Sequence, residues 1–181
     1  MRKTSYRRRL LHIQPEGAAL FLTWRLYGSL PREIASRLKA ISGGKEFVQL
    51  DRALDRVETG PLWLNDPRIA RLVADAFRYG QDVLHLYDLT AWVILANHVH
   101  LPIRPHADLS RITEALKGYT ASQANRLLHR VGNSFWQIES FDHWVRSEPE
   151  FNKIVKYIED NPVKAGLVAK PEDWPWSSAA R

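Results

Sequence analysis

The sequence predicts an α+β fold, because strand-forming and helical segments alternate and two neighbouring strands are joined by a very short connection. The segment Ala18–Leu26 is rich in strand formers, and His85–Leu95 predicts a second long strand. Ala96–Asn97 predicts a turn, after which His98–Arg104 alternates apolar and polar residues as a third strand does. So close a connection favours an antiparallel hairpin. With 181 residues, the chain is expected to form a single domain over residues 1–181.

Helices are predicted where apolar residues recur three and four positions apart. Asp66 followed by Pro67 is typical of a helix start, since aspartate caps free amides and proline fits the first turn. Ser147 and Glu150 match a capping box, and the proline after Asn161 ends the helix that this box opens. The other predicted helices are Pro31–Ile41, Lys45–Glu58 and Asp108–Val131.

The composition favours a polyanionic partner and a reducing compartment. Lys and Arg total 26 against 20 Asp and Glu, which gives a net charge of +6, although solubility alone also explains such a surplus. The absence of cysteine excludes disulfides and thiolate metal sites. No apolar run is long enough for a membrane span, and the basic N-terminus is not followed by the apolar segment of a signal peptide. We therefore expect a cytoplasmic protein with no membrane partner.

The triplet His98-Val99-His100 is the first candidate for chemistry. Residues i and i+2 of a strand point to the same side, so two imidazoles about 7 Å apart at the backbone can converge on one divalent cation. Val99, Leu101 and Ile103 alternate with the histidines and predict that the other face of the strand lies in the core. Two polar side chains on a solvated sheet face explain the same pattern.

Tyr157 and Asn161 are the second candidate, because residues four apart lie on one face of a helix. The spacing puts Tyr157 at the margin of an apolar stripe that includes Phe151 and Ile158, with Asn161 nearer the stripe. A phenol hydroxyl at such a margin can reach a site while its ring packs. The asparagine oxygen could complete a His, His, Asn set, whose nitrogen and oxygen ligands suit Mn²⁺ or Mg²⁺. A half-buried tyrosine and a helix C-cap explain the same spacing.

The block Tyr157–Val168 resembles the signature of REP-associated tyrosine transposases. These are relatives of the single-tyrosine insertion-sequence transposases, within the HUH nuclease superfamily. The block reads Tyr-Ile-Glu-Asp-Asn-Pro-Val-Lys-Ala-Gly-Leu-Val, and its Tyr-x-x-x-Asn-Pro-Val-Lys-Ala-Gly core is specific. Three further segments are similar to family motifs and stand in the expected order: Ala91–Leu101, Phe135–Arg146 and Trp174–Ser178.

This resemblance implies a ferredoxin-like antiparallel sheet flanked by helices, the HUH nuclease fold. It implies His98 and His100 as metal ligands, Asn161 as the third ligand and Tyr157 as the nucleophile. The family cleaves single-stranded DNA near a short hairpin and leaves a 5′-phosphotyrosine and a free 3′-hydroxyl. We therefore expect metal-dependent cleavage and rejoining of single-stranded DNA beside a REP-like hairpin. Mg²⁺ or Mn²⁺ is the expected metal, and a monomer or a homodimer the expected state.

Two positions depart from the family pattern. Ala96 stands where the family usually has proline before Asn-His, and Pro102 stands where it continues with apolar residues. Because proline donates no ladder hydrogen bond, Pro102 predicts an edge or a bend in the strand. Neither change touches a predicted ligand.

Other residues are weaker candidates. Tyr119 is an alternative nucleophile, but its alignment with Ile112 and Leu116 on the long helix favours core packing. His143 lies in the central family-like motif and is a candidate to support the site from outside. Lys164 is a candidate to favour the ionised form of Tyr157. Candidate DNA contacts, each of which also fits a solvated surface residue, are Arg7, Arg8, Arg9, Lys117, Arg126, Arg130 and Lys164.

Two other functions fit some of the same features. A domesticated, noncatalytic protein that binds DNA hairpins would keep the basic surface without needing Tyr157 or a metal. A replication or conjugation initiator of the same superfamily would carry further domains, for which 181 residues leave little room. The intact set of His98, His100, Tyr157 and Asn161 favours the nuclease.

Overall fold

The computed structural model describes residues 5–7, 11–13, 17–31, 51, 53, 54 and 60–180. The predicted helix Pro31–Ile41 lies outside the described residues except for Pro31. Three residues of the predicted helix Lys45–Glu58 are described, and all three are helical. The strands are β1 Ser5–Arg7, β2 Leu11–Ile13, β3 Leu20–Arg25, β4 Tyr87–Leu89, β5 Val93–Ile94, β6 His98–Pro105 and β7 Phe141–Trp144. The helices are α1 Pro67–Asp82, α2 Leu109–Leu127, α3 Glu148–Glu159 and the single turn α4 Asn161–Lys164.

Among the described residues, five strands form an antiparallel sheet in the order β4–β6–β3–β7, and β5 also pairs with β6. In the centre of the sheet, Trp24 lies opposite Val99 and Thr23 lies opposite His100. β1 and β2 form a separate antiparallel pair. The predicted α+β class, an antiparallel sheet flanked by helices, is confirmed.

Strict alternation along β3 and β6 gives the sheet two different faces. Leu22 and Leu101 belong to the larger core, which includes the apolar sides of α1 and α2. On the other face, Phe21 packs in a smaller cluster with Phe151 and Ile158 of α3. The side chains of His98 and His100 point to this α3 face, because they alternate with the residues of the larger core.

The predicted strand His85–Leu95 is interrupted, and Pro102 explains the position of the break. β4 stops opposite Ile103 and β5 begins opposite His100, which leaves Leu101 and Pro102 between them. The Pro102 carbonyl accepts a hydrogen bond from the Thr90 amide at 3.4 Å. Its nitrogen faces the same neighbour but carries no hydrogen to donate. The central strand therefore continues through the proline, and the neighbouring strand breaks instead.

Helix boundaries follow the capping residues. The Asp66 carboxylate accepts from the Arg68 amide at 2.9 Å at the start of α1. Ser147 accepts from the Glu150 amide at 3.3 Å at the start of α3. α3 ends ahead of Pro162 as predicted, and that proline lies in the first turn of α4. No helix among residues 60–180 and the other described positions is both long and apolar enough to cross a membrane.

The C-terminal segment pairs with β5 and covers that side of the sheet. Ser177 forms a β-bridge with Val93, and the Trp176 carbonyl accepts from the Ile94 amide at 2.8 Å. The Trp174 indole donates to the Ile94 carbonyl at 3.0 Å. These bonds satisfy backbone groups that an open sheet edge would expose to other chains.

Candidate functional site

His98 and His100 lie side by side on the α3 face, and neither has any exposed surface. Their Nε2 atoms converge on one carboxylate oxygen, Asp51 Oδ1, at 3.1 and 2.8 Å. The two imidazoles therefore meet as the i, i+2 spacing predicts. The acidic residue between them was not among the residues selected from the sequence.

Buried side chains contact the Nδ1 atom of each imidazole, which is the ring nitrogen that does not face Asp51. Thr23 Oγ1 lies 2.7 Å from Nδ1 of His100. Asn97 Oδ1 lies 2.6 Å from Nδ1 of His98, and the Asn97 amide nitrogen donates to the Leu54 carbonyl at 3.0 Å. Because an amide oxygen can only accept, a neutral His98 carries its proton on Nδ1 and turns the Nε2 lone pair toward the carboxylate. Outer contacts of this kind are typical of histidines that bind metals.

Asp51 belongs to the helical segment predicted over Lys45–Glu58. It comes four residues after Phe47 and three before Leu54, so it falls on the apolar stripe of that helix. The apolar residues of this stripe predicted the helix, and no role was assigned to Asp51. A carboxylate on a buried stripe needs a polar partner, so its position on the stripe was the feature that could have identified Asp51. Its exposed fraction is 1%.

The second oxygen of Asp51 contacts the other predicted residues. The Tyr157 hydroxyl and the Asn161 amide nitrogen both donate to Oδ2, the latter at 3.1 Å. Tyr157 is half-buried at the edge of the α3 cluster, whereas Asn161 is fully buried at the start of α4. Among the described residues, Asn161 Oδ1 has no hydrogen-bond partner. The Lys164 ammonium lies 4.3 Å from the centre of the Tyr157 ring and places positive charge beside the phenol.

The imidazoles keep Asp51 ionised. Burial alone would raise the pKa of Asp51, but the charge and hydrogen bond of His100, followed by those of His98, hold it well below its usual range. An ionised carboxylate repels the Nε2 lone pair of a neutral His98 at 3.1 Å. This contact becomes attractive only when a proton or a cation lies between the two atoms.

The geometry fits a divalent cation. The facing atoms of Asp51, His98 and His100 all lie within 4.8 Å of one another. Neighbouring ligands of an octahedral ion with bonds of about 2.1 Å lie about 3 Å apart, which agrees with the distances from Asp51 to both imidazoles. The Oδ1 atom of Asn161, which has no hydrogen-bond partner among the described residues, adds an oxygen donor next to this cluster. Two imidazole nitrogens with carboxylate and amide oxygens suit Mn²⁺ or Mg²⁺, so the cluster can bind a metal.

Tyr119 lies away from this cluster. It is 54% exposed and lines a groove between α1 and α2 together with Tyr79. α2 packs on the sheet face opposite to His98. The predicted core packing of Tyr119 is wrong, because the buried stripe of α2 continues through Thr120 and Ala124 instead.

His143 meets the cluster only through another side chain. Its Nε2 lies 2.9 Å from Glu150 Oε1, which joins β7 to α3. In the sheet His143 lies opposite Phe21, whose ring centre is 5.6 Å from that of His100. In the described part of the chain, His143 does not contact any of the atoms that bond to the Asp51 carboxylate.

The predicted DNA contacts have different surroundings. Lys117 donates to two backbone carbonyls ahead of β7, at 2.7 and 2.9 Å, and so ties α2 to that segment. The Arg130 guanidinium lies 3.8 Å above the Trp63 ring, and Arg126 is exposed in the last turn of α2. Lys164 is the member of the set that lies at the Tyr157 ring. The side chains of Arg7, Arg8 and Arg9 lie outside the described residues.

Comparison with known proteins agrees with the motifs. Residues 83–161 match the family described as transposase, IS200 like. The REP-associated tyrosine transposase of Escherichia coli strain K12 is 33% identical over 100 residues. The predicted family resemblance is confirmed. The matched segment contains His98, His100, Tyr157 and Asn161, whereas Asp51 precedes it.

The likeness covers part of each sequence. The Escherichia coli alignment spans 52% of this chain and 56% of the relative. A Haemophilus influenzae protein is 29% identical over 108 residues, which span 52% of this chain and 60% of that protein. The chain thus spans less than two thirds of the length of these curated relatives. A solved REP-associated tyrosine transposase bound to a REP hairpin matches with a TM-score of 0.58 at 22% identity, over 96% of this chain and 81% of that one, and so shares the fold.

Proposed function

We propose that this protein cleaves and rejoins single-stranded DNA beside a hairpin, with Tyr157 as the nucleophile. The observation that carries the proposal is the meeting of four predicted site residues at one buried carboxylate, where Tyr157, Asn161, His98 and His100 all contact Asp51. The family resemblance supplies the reaction class. The hairpin in the solved transposase supports DNA hairpins as the class of partner.

In the proposed reaction, the Tyr157 oxygen attacks the scissile phosphorus. The phenol gives up its proton as the bond from phosphorus to the 3′ oxygen breaks. That oxygen takes up a proton and leaves as a 3′-hydroxyl, and the 5′ phosphate stays joined to the tyrosine. Attack by a 3′-hydroxyl on the same phosphorus reverses the step and rejoins the strand. The covalent ester conserves the energy of the phosphodiester, so rejoining needs no further energy source.

Each residue has a role in this scheme. His98, His100, Asn161 and the newly found Asp51 would hold Mg²⁺ or Mn²⁺, which when bound withdraws charge from phosphate oxygens. The hydrogen bond from Tyr157 to Asp51 fixes the direction of the phenol oxygen. The Lys164 ammonium beside the ring favours the negative charge that develops on that oxygen during attack.

The decisive experiment looks for the covalent intermediate. Hairpin DNA with a single-stranded flank, labelled at its 3′ end, is incubated with the protein and Mn²⁺, and a denaturing gel then separates protein–DNA adducts. We expect an adduct that disappears with chelator and maps to a peptide containing Tyr157. Tyr157→Phe should abolish it, and the matched variant Tyr119→Phe should leave it unchanged.

The outcomes separate the candidate functions. An adduct that survives Tyr157→Phe and is lost with Tyr119→Phe would keep the reaction class and overturn the assignment of the nucleophile. Tight hairpin binding without an adduct under any metal would favour the noncatalytic binding protein. The single domain over residues 1–181, the choice between monomer and homodimer, and the cytoplasmic location stay predictions.

A further inference from the structure

Arg25 lies at the end of β3, beside the cluster formed by Asp51, His98 and His100. It is directly opposite His98 in the sheet, two residues after Thr23, which is opposite His100. Opposed residues of an antiparallel pair point to the same face. The Arg25 side chain is therefore on the α3 face, next to His98 and outside the segment matched by the family.

The guanidinium of Arg25 is partly buried and has no acidic partner in the described part of the chain. Its Nη1 donates to the Ser29 hydroxyl at 3.2 Å, and Ser29 is itself fully buried. Withdrawing a charge from water without an ion pair costs stability, so such a charge is expected where a ligand supplies the opposite charge.

We propose that Arg25 binds a phosphate of the DNA strand that enters the Tyr157 site. The inference rests on the proposed function and adds a strand-positioning residue to it. A guanidinium matches two phosphate oxygens with two parallel N–H bonds, and one bond to Ser29 leaves donors for that contact. The partner class is a phosphodiester, because the oxygens needed here are anionic and Arg25 is next to a predicted metal ligand, His98.

The first test compares Arg25→Gln with Arg68→Gln, both made in a Tyr157→Phe protein so that cleavage does not interfere. Arg68 is a matched control because it is exposed and already paired with Asp66. Binding of a labelled hairpin with a single-stranded flank is measured by fluorescence anisotropy over a range of salt concentrations. We expect Arg25→Gln to weaken binding about tenfold and to lower the salt slope by about 0.7, the value for one lost phosphate contact to a single strand. Arg68→Gln should change neither.

The second test locates the contact. Flank phosphates are replaced one at a time by neutral methylphosphonates, and each DNA is measured with and without Arg25→Gln. One replacement should weaken binding by the reference protein about tenfold and leave Arg25→Gln binding unchanged, because the contact is already lost. Arg25→Lys should recover part of the affinity, since lysine keeps the positive charge but lacks the two parallel N–H donors of the guanidinium.

Stability separates this role from a structural one. Because burying the Arg25 charge without an ion pair costs stability, Arg25→Gln should keep or raise the melting temperature of the parent protein. Loss of affinity that is equal for every methylphosphonate position, or that accompanies a lowered melting temperature, would overturn the proposal. If wild type forms the Tyr157 adduct while Arg25→Gln and Arg68→Gln bind alike, Arg25 has no such role and the proposed function stands. If wild type neither binds the hairpin nor forms the adduct, the proposed function itself has failed.

Discussion

Thr23→Val tests whether His100 binds a metal, because Thr23 contacts the imidazole nitrogen that faces away from Asp51. Valine has nearly the same shape as threonine, so the change removes the hydroxyl and little else. In the native protein that hydroxyl lies 2.7 Å from Nδ1 of a ring with no exposed surface. A metal bound at Nε2 obliges His100 to carry its proton on Nδ1, and in the variant this proton loses the Thr23 hydroxyl as its acceptor. Without metal, the proton can move to Nε2 and bond Asp51, so the penalty falls mainly on the metal-bound form.

The size of the effect follows from the burial of the ring. An unpaired buried donor costs about 1–3 kcal/mol. At about 1.4 kcal/mol for each tenfold change, this corresponds to a loss of metal affinity of roughly 5- to 100-fold. Loss of an outer contact to a metal-bound histidine has effects of the same order. We therefore expect Thr23→Val to bind Mn²⁺ at least roughly fivefold more weakly than wild type.

Isothermal titration of the metal-free protein with Mn²⁺ measures this change directly. The matched control is Thr113→Val, because Thr113 is also buried and its hydroxyl bonds the Leu109 carbonyl inside α2, on the other face of the sheet. Both variants lose a buried hydroxyl, but only one hydroxyl touches the predicted metal site. Equal Mn²⁺ affinities in the two variants would show that His100 is not a ligand through Nε2.

Two further predictions concern stability. Gly80→Ala should destabilise the protein by about 1–3 kcal/mol in urea unfolding, because a Cβ there would overlap the hydroxyl of buried Tyr87. Gly118→Ala, in a helix position with open space, should instead stabilise it by up to about 1 kcal/mol, and the same sign for both would refute the steric argument. Glu150→Gln should cost about 0.5 kcal/mol at pH 7, a small value because the carboxylate is 35% exposed. The His143 hydrogen bond lowers the pKa of Glu150, so its contribution is present above the ordinary glutamate pKa and is lost as pH falls through the lowered one. A difference between wild type and variant that grows toward acid pH would contradict this.

Local patterns in the sequence predicted the parts of the fold that local physics controls. Alternation predicted that Val99 and Leu101 lie in the core and that His98 and His100 share the other face, because side-chain direction in a strand depends only on position. The cap at Asp66 and the end of α3 ahead of Pro162 were also predicted, since both depend on neighbouring residues.

Local patterns did not predict features that depend on distant segments, and the meeting of His98 and His100 with Tyr157 and Asn161 was implied only by the family resemblance. Asp51 was missed because its partners come from β6 and α3, far away in sequence, although its place on an apolar stripe was visible. The break in the predicted strand His85–Leu95 could not be located, because its cause, Pro102, lies in the neighbouring strand. Tyr119 was placed in the core by angle alone, whereas the packing of α1 against α2 leaves it at the edge of their groove.

The sequence separation of the contacts at Asp51 has a consequence for the order of folding. Its partners lie 47, 49, 106 and 110 residues further along the chain. Closing such long loops costs entropy that is offset only when the core assembles, so we expect these contacts to form after the local helices. A chain in which only the helices have formed therefore contains every residue of the site, but these residues are not yet in contact with one another. In a refolding experiment, Mn²⁺ binding at this site should therefore develop after the helical circular dichroism signal.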